Sequence, residues 1–172
     1  EQAQKIYLKA FLLSPQGSPY RAPLLSMLER GGDLTEEEID LLLVILKAEN
    51  FYDKAIVNHI AAIFLRKRVL TKKIEPIFLS ALEFKSEEAK EIVNFVLPVI
   101  LEKERVDSFA LHFYLEALKW DLPEEVHVRE ALARAYCEGV WKAIDPPLHQ
   151  KCDDVFQALN FKQRSNIMRE IV

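Results

Sequence analysis

Helical hairpin markers recur along this chain at one fixed spacing of 36 residues, and that restricts the folds open to it. Leu34-Thr35, Leu70-Thr71 and Val106-Asp107 stand 36 residues apart, each at the expected start of a helix. Lys54-Ala55-Ile56-Val57-Asn58 matches Lys90-Glu91-Ile92-Val93-Asn94 at the same offset, as Ala81 matches Ala117. Self-similarity at a period of about 20–50 residues marks repeat architectures. A single hairpin cannot bury its apolar face alone, so neighbours must stack.

Between these markers, apolar residues recur at i, i+3, i+4 and i+7, the spacing of a helix with one buried face. The pattern predicts helices over 2–13, 20–30, 35–49, 52–67, 71–84, 87–103, 107–120, 123–139, 148–159 and 161–171. Punctuation agrees. Gly31-Gly32 closes one helix, and Thr35 with Glu38 three residues on forms a capping box for the next. Asp121-Leu122-Pro123-Glu124 offers a capping acid followed by a proline in the first turn. Short connections between such helices force antiparallel pairs. Only four glycines occur, far fewer than an all-β chain of this size needs for its turns. The expectation is one all-α domain over residues 1–172, with four to five hairpins, the first of them incomplete. A chain that opens on Glu1 is expected to be a fragment of a longer protein.

Charge and cysteine content exclude several functions. The net charge is −4 and the basic residues are scattered. Nucleic-acid binding needs a concentrated positive field to displace counterions. The nearest cluster, Arg66-Lys67-Arg68 with Lys72 and Lys73, sits at a helix end where cations complement the helix dipole. Cys137 and Cys152 are too far apart for a CxxC motif, so reduced thiols in a cytoplasmic compartment are expected. The apolar runs Leu41–Leu46 and Val93–Leu101 are too short to cross a membrane.

The pattern A-x3-[FY]-x2-A-x4-P occurs in full at Ala3, Tyr7, Ala10 and Pro15. Ala110, Tyr114 and Ala117 supply its first three places, with Pro123 one residue late, while Ile74, Phe78 and Ala81 stand at those places in another copy. On a partner helix, Leu132, Ala133 and Tyr136 give a leucine, a small residue and an aromatic three further on. Small residues let two helices approach, and the aromatic fills the space beside them. In these features the chain resembles a degenerate tetratricopeptide-repeat protein over nearly its whole length. The resemblance implies a right-handed α-solenoid of stacked antiparallel hairpins, without catalytic activity or a cofactor. Three departures stand out. Pro98 falls inside a helix, six extra residues lie around Asp145-Pro146-Pro147, and the first copy begins at its second helix.

Other motifs resolve into bland readings. Gly31 to Glu38 is similar to the end of a calcium loop, but Met27, Leu28, Glu29 and Arg30 upstream cannot ligate an ion at the required spacing. His149, Cys152, Asp153 and Asp154 read as a polar helix face rather than a metal site, because His127 and Cys137 belong to another helix. No nucleophile has a base nominated beside it and no glycine-rich phosphate loop is present.

In tetratricopeptide arrays the first helices of successive hairpins line a concave groove where peptides or helices dock. Carried over by the 36-residue register for the first two sets and continued on the first helix of the next hairpin, this implies a groove of His59, Ile63, Arg66 and Lys67, then Phe95, Val99, Glu102 and Lys103, then His127, Glu130, Arg134 and Glu138. Its mixed character suits an amphipathic protein or peptide partner. Chaperone-binding members clamp a carboxylate with paired lysines and asparagines; Asn58 and Asn94 are present, but the groove places where lysines would stand are mainly apolar or acidic, so binding to chaperone tails is not expected. Ile167, Met168 and Ile171 form an apolar stripe near the C-terminus that either caps the array or meets a neighbour. Two other readings stay open: a regulatory or self-associating segment of a larger protein, and an RNA-binding helical repeat, which would need a basic groove.

Overall fold

A computed structural model of the chain describes residues 2–14, 21–48, 54–84, 88–120, 122–140 and 146–158. Every regular element among them is a helix: α1 Gln2–Leu13, α2 Arg21–Arg30, α3 Glu36–Ala48, α4 Lys54–Arg66, α5 Glu75–Glu83, α6 Ala89–Glu102, α7 Ser108–Ala117, α8 Glu125–Cys137 and α9 Pro146–Ala158. The helix expected over 161–171 lies outside the described residues.

Local chemistry explains most of the boundaries. The capping box forms in full: the Thr35 hydroxyl accepts from the Glu38 backbone N–H at 3.3 Å, and the Thr35 N–H donates to the Glu38 carboxylate at 2.8 Å. Asp107 caps α7, its carboxylate accepting from the Ala110 N–H at 3.0 Å. Thr71, the equivalent of both in the register, does not start its helix. α5 begins at Glu75, after a turn in which the Ile74 and Glu75 N–H groups both donate to the Thr71 carbonyl. Pro76 is the reason. A helix running from residue 72 would put Pro76 beyond the first turn, where its missing N–H and its ring both disrupt the helix. At Pro98 no such retreat occurs, and α6 runs through the proline with its ring exposed to solvent.

The ends of α4 and α6 share one geometry. Arg68 and Glu104, 36 residues apart, have positive φ values of 54° and 49°. After α4, the Arg68 N–H donates to the Leu65 carbonyl and the Val69 N–H to the Phe64 carbonyl. After α6, the Glu104 and Arg105 N–H groups donate in the same way to Leu101 and Ile100. Both ends are Schellman motifs, a termination that glycine usually supplies. Gly139, with φ 66°, takes the place after α8. A side chain in the left-handed region is strained. Glu104→Gly is therefore expected to raise stability by about 0.5–1 kcal/mol and Tm by about 2 °C, despite losing an exposed ion pair. Thermal unfolding followed by circular dichroism checks this, and a lower Tm would contradict it.

The chain divides into two compact units, Glu1–Ile92 and Val93–Val172. In the first, α1 packs on α2 and also, skipping one element, on α3. α2 likewise packs on α4, which packs on α5. Leu8, Phe11, Leu25, Leu28, Leu42, Ile45, Phe64 and Phe78 fill the interior. Polar ties also run between elements roughly one hairpin apart: Lys67 Nζ donates to the Gly31 carbonyl, Lys5 pairs with Glu37, and Lys73 with Asp40 at 2.9 Å. The basic cluster after α4 is thus partly engaged in holding its own unit together. In the second unit, α7 packs on α8 and on α9, around Val96, Ile100, Phe113, Tyr114, Val128, Leu132, Leu148 and Cys152.

Candidate functional site

The groove positions separate into surface and core when placed on the structure. In the first unit, Ile63 is 1% exposed and offers nothing to a partner. The cause is visible in α4, where Ile60 through Leu65 is an unbroken apolar run and every member is buried. A helix that is apolar all round belongs in the interior. His59 is half-buried, with Nδ1 2.8 Å from the Ala55 carbonyl oxygen, Arg66 is exposed, and Lys67 is held by Gly31 as above.

The second unit keeps all its groove positions accessible. Phe95 and Val99 are half-buried on α6, Glu102 and Lys103 are exposed at its end, and His127 is exposed on α8. Glu130 and Arg134 are half-buried, and Arg134 reaches Glu104, in the turn after α6, at 3.2 Å. His127, Glu130 and Arg134 follow one another at three- and four-residue spacing, so they share one helix face. The adjoining side of α8, with Val128, Ala131, Leu132 and Ala135, is buried. Two accessible apolar side chains were missing from the sequence expectation, Val126 at 63% exposure and Tyr136 at 41%. Val126 could have been found, since it precedes His127 by one residue and lies outside the buried stripe. Tyr136 was expected to pack between helices like its companions Leu132 and Ala133, which are buried. Instead it sits in the last turn of α8 and reaches solvent. The alternative interface residues Ile167, Met168 and Ile171 lie outside the described residues.

Tyr114 anchors the turn beneath this face. Its hydroxyl donates to the Arg105 carbonyl at 2.7 Å, inside the Schellman turn that carries Glu104. Burial pushes its phenol up to about 12, with the Arg134 cation opposing that rise. Ordinary phenols titrate near 10. Below pH 10 folded and unfolded chains both keep the proton; above it the unfolded chain loses the proton first. Stability is therefore expected to fall as pH rises from 10 towards about 12. An ultraviolet titration should show a late phenol ionisation that Tyr114→Phe removes. A titration curve that Tyr114→Phe leaves without loss of a late step would contradict the burial argument.

No group of three or more His, Cys, Asp or Glu side chains able to hold a metal occurs among the described residues. Cys152 is buried in the core, while His149 pairs with Asp153 at 3.2 Å along one face of α9. Among the described residues no helix is long and apolar enough to cross a membrane. No family model, no curated protein and no solved structure matches this chain.

Proposed function

We propose that this chain is a non-catalytic interaction module, a tetratricopeptide-like stack of antiparallel hairpins that binds a helix or extended segment of a protein partner. The stacking reading is supported by packing between alternate helices, α1 with α3, α2 with α4 and α7 with α9. The Schellman turns at Arg68 and Glu104, one period apart, support it further. The binding reading rests chiefly on the α8 face, where Val126, His127, Glu130 and Arg134 offer apolar surface and both charge signs on one rigid helix. Such a face suits an amphipathic ligand docked by its apolar side and oriented by its charges.

The test places a photo-crosslinking amino acid at His127 or Glu130, and in a control at Lys119 beyond the end of α7, in the full chain exposed to a native extract. A protein adduct from the α8 positions and none from Lys119 is the expected result. Adducts from Lys119 alone would move the site off α8, and an adduct of two copies of the chain would replace this reading with self-association.

A further inference from the structure

Two glutamate–arginine pairs on α8 share one order and one spacing: Glu125 with Arg129, and Glu130 with Arg134. A glutamate four residues before a cation is the arrangement that favours an ion pair along a helix. Glu125 and Arg129 make that pair. Glu130 and Arg134 do not, because Arg134 Nη1 lies 3.2 Å from Glu104, in the turn after α6. Among the described residues, no hydrogen bond or ion pair reaches the half-buried Glu130 carboxylate.

Glu104 makes its contact from a strained backbone. Its φ of 49° lies in the left-handed region, where glycine is at ease and a side chain is not. Gly139 takes the place after α8 without that strain. Strain kept at one residue points to a use for its side chain. The contact that Glu104 makes is the one with Arg134. The turn is also held in place, since the Tyr114 hydroxyl donates to the Arg105 carbonyl at 2.7 Å. A fixed turn carrying a carboxylate thus draws the Arg134 guanidinium away from the acid one helical turn before it. Glu138, exposed four residues after Arg134, is not paired with it either. The α8 face presents two carboxylates, Glu130 and Glu138, beside a guanidinium already engaged, and a cation is the complement it lacks.

We infer that the segment docked on the α8 face brings a lysine or arginine to Glu130, and that Glu104 is the positioning residue that keeps Arg134 off that carboxylate. The inference rests on the α8 face of the proposed function and names the chemistry of its partner. The basic group is steered to Glu130 by charge, and an apolar neighbour in the same segment meets Val126, one helical turn before Glu130.

The test repeats the His127 photo-crosslink in native extract with the full chain carrying Glu130→Gln, Glu104→Gly, or Glu104→Gly together with Arg134→Gln. Adduct yield should fall about threefold or more in Glu130→Gln and in Glu104→Gly. In the latter Arg134 is free to turn to Glu130, although the fold itself gains stability. Removing Arg134 as well should recover most of that loss, a rescue that a merely structural role for Glu104 would not give. The crosslinked partner peptide should contain a lysine or arginine. No adduct in the parent, or only an adduct of two copies of the chain, would overturn the α8 reading and this inference with it. A heterologous adduct whose yield is unchanged by Glu130→Gln or by Glu104→Gly would overturn this inference alone. So would a failed rescue or a partner peptide without a basic residue.

Discussion

Replacing Tyr114 with alanine is expected to cost the fold about 3–5 kcal/mol, a large share of the stability margin of an ordinary domain. The side chain is 0% exposed, and its removal leaves a cavity between α7 and its neighbours that packed helices relax only partly to fill. The same change strips the Arg105 carbonyl of its 2.7 Å hydroxyl donor, inside a turn already carrying the strained Glu104. Tyr114→Phe separates the two effects. It keeps the ring and should cost only about 1 kcal/mol, the usual net value of one hydrogen bond. Urea unfolding of both variants decides the matter. A Tyr114→Ala midpoint close to that of the parent would mean that this residue is not the packing centre of its unit.

Ile63→Ala carries the second large effect, about 2–5 kcal/mol. This residue occupies a groove position in the register but lies in the core, so the two assignments predict opposite results. A partner-contact residue would change binding and leave the urea midpoint alone. A core residue at 1% exposure should lower the midpoint whether or not a partner is present. Equal midpoints for parent and variant would restore Ile63 to the surface.

These two residues also show what could be read from the sequence. Elements with strong local signals were legible: α1 starts and ends at the expected residues, and the Thr35–Glu38 box and the Asp107 cap form with the expected partners. Each depends on contacts within one turn, which the spacing of residue types specifies. The start of α5 was legible in principle, because Pro76 alone forbids an earlier first turn. Burial was harder to read, since it depends on what a distant segment supplies. Ala3, Tyr7 and Ala10 match the repeat pattern as well as Ala110, Tyr114 and Ala117 do, yet Ala3 is exposed and the other two are half-buried. At Tyr136 the residue type suited a buried gap, and its place in the last turn of α8 left it reaching solvent. Conversely, the apolar run ending in Phe64 and Leu65 was a visible sign that Ile63 belongs inside.

Stacking at a 36-residue period is tested most directly by lengthening the chain by one period. Residues 54–89 span one such unit, and a second copy placed between Ala89 and Lys90 adds a hairpin without changing any register. In a repeat array each hairpin meets only its neighbours, so the added copy finds the same surfaces its template does. The measurement is circular dichroism through thermal unfolding. The expected result is unchanged helical signal per residue, a single cooperative transition and a Tm no lower than the parent's. Loss of helical signal per residue, aggregation, or a clearly lower Tm would show that these helices form a closed core with no room for another hairpin, and would contradict the stacked-repeat account.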